Sequence, residues 1–252
     1  MTTDSGTALL AGKIALITGG SSGIGAATAR KLAAQGATIA IGYHHGADRA
    51  QALLEALPGA GHLTLRLPLA DDAAHQHAAQ ALRTAYGRLD ILVLSAGYTQ
   101  RIPHRDVEQL TPALYNEILL ANAGGPYAIT RAMLPLLQAS RDAVVIGVSS
   151  VSAITGSGSN MAYCAAKAAL DTTLRSLARV FGPIRFLSVS PASVDTGFVA
   201  GRSRADLERH AANIPLGRVT SPEDVADSIL AAAALLRTAT GVRLVIDGGH
   251  TL

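Results

Sequence analysis

The chain has a single cysteine, Cys164, and no tryptophan among its 252 residues. One thiol excludes an intrachain disulfide framework and fits a reducing compartment without demanding one. Beside Tyr163, Cys164 reads as a small buried filler rather than a redox thiol. Aromatic residues make up 4% and charged residues 15% of the sequence. The 21 Lys and Arg residues are scattered, and the net charge is +3. A nucleic-acid groove needs a basic stripe with stacking aromatics, so nucleic acid is excluded as a partner. No run approaches the ~20 apolar residues that span a bilayer, which excludes a membrane helix. The opening stretch carries Asp4 and Lys13 and has no basic leading region. It is a poor signal peptide, and the expectation is a cytoplasmic chain. His104, His210 and His250 lack metal-ligand spacing, so no metal is expected, although each could border a substrate cleft.

Hydrophobic residues, mostly Ala, Leu, Val and Ile, reach 49%. That is ample for one large core, and the whole of 1–252 is expected to be one domain. Short β-branched runs alternate with longer Ala/Leu-rich amphipathic stretches. Strands are predicted at 13–18, 37–42, 61–67, 89–94, 143–148, 184–190 and 243–246. Helices are predicted at 23–35, 46–57, 71–86, 105–122, 123–139, 160–181 and 221–236. Near-continuous apolar strands mark a parallel sheet buried on both faces. Right-handed crossovers then give an α/β fold, a Rossmann-type doubly wound parallel sheet with helices on both faces.

Chemistry enters first at Thr18-Gly19-Gly20-Ser21-Ser22-Gly23-Ile24-Gly25, between the first strand and the first helix. Glycines there permit a tight reversal, let backbone amides approach a pyrophosphate and let the helix pack close to the sheet. The helix N-terminus would face the phosphates. Because the glycines fall at 19, 23 and 25, the G-x-G-x-x-G pattern is not literally met, and a plain glycine-rich turn is the alternative. The end of the second strand discriminates cofactors: an acid there would bind the ribose 2′-hydroxyl and repel a 2′-phosphate. Tyr43 holds that slot, with His44, His45 and Arg49 as nearby donors, so NADP(H) is expected over NAD(H). Asp48 is the competing acid should the register shift.

Tyr163 and Lys167 lie four apart in a helical segment, hence on one face. A phenol has a pKa near 10. An adjacent ammonium favours the phenolate and fits Tyr163 for proton transfer. Ser150 ends the central strand 143–148, thirteen residues before Tyr163. Ligands in open α/β sheets sit beyond the carboxyl ends of strands, where Ser150, or Ser149 as the alternative, would meet a substrate oxygen.

Taken in order, these residues resemble those of the compact short-chain dehydrogenase/reductases, and the similarity runs from about Leu10 to Leu252. Thr18–Gly25 is similar to the family's TGxxxGIG. Ser95-Ala96-Gly97 stands where NNAG is usual, Asn122 matches the active-site Asn, and Ser150, Tyr163 and Lys167 match the Ser, Tyr and Lys. Pro191-Ala192-Ser193-Val194-Asp195-Thr196 resembles the stretch lining the nicotinamide, and Val245–Gly249 the closing strand and turn. The resemblance implies an oxidoreductase moving a hydride between nicotinamide and a carbonyl or alcohol, with Tyr163 as acid/base. Lys167 would lower its pKa and hold the ribose, Ser150 would orient the substrate oxygen, and Asn122 would hold a relay water. It also implies cofactor contacts from Gly19, Ser21, Ser22, Gly23, Ile24, Gly25, Tyr43, His44, Ala96, Gly97, Pro191, Val194 and Thr196. Pro68 stands where the family carries an adenine-binding Asp, and Ala192 replaces a common Gly. Residues 197–215 would form a substrate lid, in which Arg202, Arg204 and Arg209 would either meet an anionic group or line a solvated face. Relatives form tetramers or dimers, so a homotetramer is expected over a dimer. The nearest named relatives by resemblance are 3-oxoacyl-carrier-protein reductases, but substrate and direction are left open. The alternatives are a catalytically silent NADP(H)-binding regulator, and a longer-branch epimerase that the chain length disfavours.

Overall fold

The computed structural model describes residues 8–201 and 203–252, with the side chain of His210 excepted. Asp4 and Arg202 therefore lie outside the described residues.

Seven strands form one parallel sheet in the order β3-β2-β1-β4-β5-β6-β7. They are β1 (Ile14–Thr18), β2 (Thr38–Tyr43), β3 (Leu63–Arg66), β4 (Ile91–Leu94), β5 (Val144–Val148), β6 (Arg185–Pro191) and β7 (Arg243–Ile246). The five residues of β1 and of β5 and all seven of β6 are buried, the pattern of strands covered on both faces. Alternation then sorts the side chains. Ala15 and Ile17 of β1 pack with α1 (Gly23–Ala34), α2 (Ala47–Ala56) and α9 (Pro222–Ala234). Ile14 and Leu16 pack with α3 (Asp72–Tyr86), α5 (Gly125–Gln138) and α7 (Met161–Val180). The remaining helices are α4 (Pro112–Leu119), α6 (Ser152–Thr155) and α8 (Arg204–Ala211). This is the expected doubly wound sheet with helices on both faces.

Strand order reverses between β1, which pairs with β2 on one side, and β4 on the other. The crevice above that switch point is where ligands of open sheets bind. Thr18, 1% exposed, closes its floor: its Oγ1 accepts from the amides of Ser95 and Ala96, both at 3.0 Å.

Two expectations about helices need correction. A helix over 105–122 begins only at Pro112, because Thr111 accepts a capping bond from the Leu114 amide and Pro112 takes the first turn, where its missing N–H costs nothing. The break expected at 122/123 is absent. A π-helical turn, Leu120–Gly124, joins α4 to α5 as one rod. The short α6 has no counterpart in the sequence reading, while α8 carries Asp206 and Glu208 on the helical face considered there for 197–215. Elsewhere helix and strand limits differ from expectation by about two residues at most, as terminal fraying allows.

Candidate active site

The glycine loop is shaped by steric need. Gly19 has φ +64°, and a Cβ there would stand 3.0 Å from the Ala96 Cα. At Gly25 a Cβ would come within 2.3 Å of the Gly19 carbonyl oxygen, so only glycine lets α1 start this close to the turn. Ser22 occupies the N-cap of α1 without making a side-chain capping bond. The first-turn amides of a helix have no intrahelical partner and carry its positive end, a donor set suited to a pyrophosphate.

A cavity of about 640 Å³ opens from this loop across the ends of β4, β5 and β6. Gly19, Ser22, Gly23, Ile24, Ala96, Gly97, Pro191, Val194 and Thr196 line it, together with Ser149, Ser150, Tyr163 and Lys167. Gly25 shapes the loop from beneath. Ser21, Tyr43 and His44 are not among its walls.

Asn160 starts α7 by accepting the Tyr163 amide at 2.8 Å, and its own amide group donates to the Gln100 carbonyl at 2.8 Å. That anchor sets where the helix begins and therefore where Tyr163 and Lys167 face. Lys167 is 4% exposed, and its ammonium donates to the Val148 carbonyl at 2.8 Å. It also lies 5.5 Å from the centre of the Tyr163 ring. Burial lowers the Lys167 pKa to about 8, against the opposing pull of Asp171 one turn further on. Tyr163 is half-buried, its ring 6.0 Å from that of Phe198. Both serines are buried. The Ser150 Oγ lies 3.1 Å from the Ser152 amide and from its hydroxyl, while the Ser149 hydroxyl donates to the Lys167 carbonyl at 3.4 Å.

Asn122 is wholly buried in the π-helical turn. Its amide group donates to the carbonyls of Tyr98 at 2.6 Å and Ile118 at 3.0 Å. The Oδ1 has no hydrogen-bond partner. Gly97 keeps that side clear, since a Cβ on it would stand 2.6 Å from Oδ1. A buried acceptor without a donor costs roughly 1–3 kcal/mol, so Oδ1 calls for a water or a ligand group. Asn122 is not itself among the cavity walls; the narrow glycine cradle and the first-turn amides of α1 are the features that fit a dinucleotide.

At the outer end of β2, Tyr43 pairs in register with Arg66 of β3. The rings of His44 and His45 are 3.7 Å apart. Burial, then His45 and Arg66, hold the His44 pKa below its ordinary value. His44 is therefore a neutral donor at pH 7, and Arg66, which sequence reasoning passed over, is a fixed cation beside it. Its pairing with Tyr43 becomes visible only once the register of β2 and β3 is known. Asp48 is in the first turn of α2, where the helix dipole favours an acid. Pro68 is buried in the slot discussed for adenine, and its carbonyl accepts from His75 Nε2 at 2.7 Å.

His250 lines the cavity and His104 does not; the His210 side chain lies outside the described set. Among the described residues no group of His, Cys, Asp and Glu is placed to hold a metal. No described helix is long and apolar enough to cross a membrane.

A family model described as enoyl-(acyl carrier protein) reductase matches residues 19–251. Cis-4-hydroxycyclohexanecarboxylate dehydrogenase of Sinomonas cyclohexanicum is 32% identical over 244 residues, covering 95% of this chain and 96% of that protein. The 3-oxoacyl-acyl-carrier-protein reductase FabG of Escherichia coli is 32% identical over 243 residues, covering 94% and 97%. Among solved structures, a short-chain dehydrogenase from Burkholderia cenocepacia in complex with NADP superposes with a TM-score of 0.87 at 31% identity, covering 96% of this chain and 99% of that one.

Proposed function

The chain belongs to the short-chain dehydrogenase/reductase family, whose members are NAD(P)-dependent oxidoreductases of alcohol and carbonyl groups, and on that premise we propose that it is an NADP(H)-preferring carbonyl reductase with Tyr163 as its acid/base. The observation that carries this reading is the buried Lys167 ammonium, 5.5 Å from the Tyr163 ring in the same cavity as the glycine loop.

When bound, the nicotinamide supplies or accepts the hydride at the substrate carbon. Tyr163 gives its hydroxyl proton to the oxygen that becomes an alkoxide, and takes it back in the oxidative direction. The Lys167 ammonium would stabilise the phenolate left behind and would hold the nicotinamide ribose. The Ser150 hydroxyl donates to the substrate oxygen, so charge develops against fixed donors rather than against bulk water. Asn122 would hold a water that links Lys167 to a proton relay. Gly19, Ser21, Ser22, Gly23, Ile24 and Gly25 form the pyrophosphate cradle. Ala96 and Gly97 would line the adenosine side, and Pro191, Val194 and Thr196 would line the nicotinamide.

Preference for NADP(H) is supported by Tyr43 in the discriminating slot with His44 and Arg66 beside it. We read 1–252 as one domain with a lid at 197–215, working in the cytoplasm on a small carbonyl or alcohol as a homotetramer. The small residues along α7 and the sheet edge at β7, where Val245 is 41% exposed, support self-association. The silent regulator is disfavoured by the retention of both Tyr163 and Lys167.

The test is turnover with NADPH and NADH over simple ketones, cyclic ketones and 3-oxoacyl thioesters, the last two suggested by what the relatives' names say they act on. NADPH oxidation with at least one class is expected. Equal efficiency with both cofactors would overturn the preference, and NADPH binding without oxidation across the panel would support the regulator instead.

A further inference from the structure

The substrate half of the cavity differs in chemistry from its cofactor half. Beyond Tyr163 its walls are Val151, Phe198, Val199 and Leu207, with hydroxyls from Ser152, Ser157 and Ser159. Leu207 is 4% exposed, so α8 turns an apolar side chain inward, and Phe198 leans over the Tyr163 ring. Lys167 is the only Lys or Arg among the described lining residues, and its ammonium is already bonded to the Val148 carbonyl.

The described lid arginines do not change that balance. Arg204 is ion-paired with Asp195 and, at 2.9 Å, with Glu208. Arg209 is ion-paired with Asp206. Asp206 itself lines the cavity, and the amide and hydroxyl of Ser203 hold its carboxyl below the ordinary value, so it is an anion at neutral pH. Arg209, and Arg101 at longer range, offset part of the Asp206 charge, but an incoming carboxylate or phosphate would still find Asp206 in the cavity wall and both Arg204 and Arg209 already paired.

We propose that the substrate is a neutral carbonyl compound, or its alcohol, carrying an apolar group beside the reacting carbon, with Phe198 and Leu207 receiving that group and Asp206 discriminating against anions. This deepens the oxidoreductase reading above and rests on it. Apolar walls with a few neutral hydroxyls suit such a ligand, because burying an unpaired charge against them is unfavourable. Specificity then has two parts: contact with the apolar group, and repulsion of the charged analogue.

The experiment compares matched pairs: acetophenone with 4-acetylbenzoate, cyclohexanone with 4-oxocyclohexanecarboxylate, and 2-octanone with 7-oxooctanoate. Each is assayed with whichever nicotinamide cofactor supports turnover. The neutral member is expected to have the higher kcat/KM in every pair that reacts, by about tenfold or more. Asp206→Asn, which also frees Arg209, should narrow that ratio by about tenfold. Phe198→Ala should raise KM for the neutral aryl ketone more than it lowers kcat. Equal or better turnover of the carboxylate members would overturn the inference while leaving the oxidoreductase reading intact. No turnover of any pair by protein that oxidises NADPH with a 3-oxoacyl thioester would overturn the inference alone, and no turnover of that thioester either, by protein that binds NADPH, would overturn both.

Discussion

Asp171, buried one helical turn beyond Lys167 on α7, is held by Arg243 of β7 through two bonds to one carboxylate oxygen, at 2.5 and 2.9 Å. The other oxygen has no hydrogen-bond partner. The pair ties the helix bearing Tyr163 and Lys167 to the last strand of the sheet. Removing one partner of a buried ion pair leaves an uncompensated charge, whereas removing both does not. Arg243→Met is therefore expected to cost about 3–5 kcal/mol, and Asp171→Leu/Arg243→Met clearly less than the sum of the two single variants. Urea denaturation of the four proteins measures this. Additive losses would show that the pair is not coupled.

Lys167 has a calculable pH signature. Its pKa in the folded protein is about 8, below the ordinary 10.5, because burial disfavours the ammonium. Between these values the unfolded chain binds a proton that the folded protein does not, so stability contributed by this group rises with pH from about 8 to about 10.5. Below pH 8 both states are protonated and the desolvated ammonium is a standing cost. The stability difference between parent and Lys167→Met should thus move in the parent's favour by about 3 kcal/mol across that window. Parallel denaturation curves at pH 7, 8, 9 and 10 check it, and a difference independent of pH would contradict it.

Gly25→Ala sets a methyl group against the Gly19 carbonyl, 2.3 Å away. Neither backbone can yield without reshaping the loop, so a loss of about 1–3 kcal/mol or more is expected. NADPH affinity should fall further than stability does, since the same turn presents the phosphate-binding amides. A fluorescence titration beside a thermal melt separates the two effects.

Cofactor choice should respond at the end of β3 as well as β2. Arg66→Ala is expected to weaken NADPH binding and leave NADH nearly untouched, because only the former carries a phosphate for this cation to meet. A screened, exposed contact of this kind should shift the kcat/KM ratio by about tenfold and should fade as salt is raised.

Much of the fold and of the site is legible in the sequence. The apolar runs IALIT and VVIGV are buried at every position and could be assigned as inner strands from composition. The glycine loop, Ser150, Tyr163 and Lys167 were identified and share one cavity. What was not legible has local physical reasons. Helix α8 is short and polar around most of its surface, with only Leu207 and Ala211 buried one turn apart, too little of a period to set its limits from sequence. The π-helical turn that buries Asn122 has no composition of its own; it follows from packing of the α4–α5 rod and from the side chain reaching the Tyr98 carbonyl across the fold. The pairing of Arg204 with Asp195 and Glu208, and of Arg209 with Asp206, likewise required distances.

The central claim is that Tyr163, beside the Lys167 ammonium, moves the proton that accompanies hydride transfer. Single-turnover stopped-flow absorbance of bound NADPH, mixed with a ketone that the parent reduces, tests it directly in parent and Tyr163→Phe. The account predicts retained NADPH binding with transfer slowed by about 10²–10⁴-fold, the contribution of a positioned acid/base. Transfer by Tyr163→Phe at the parent's rate would contradict it.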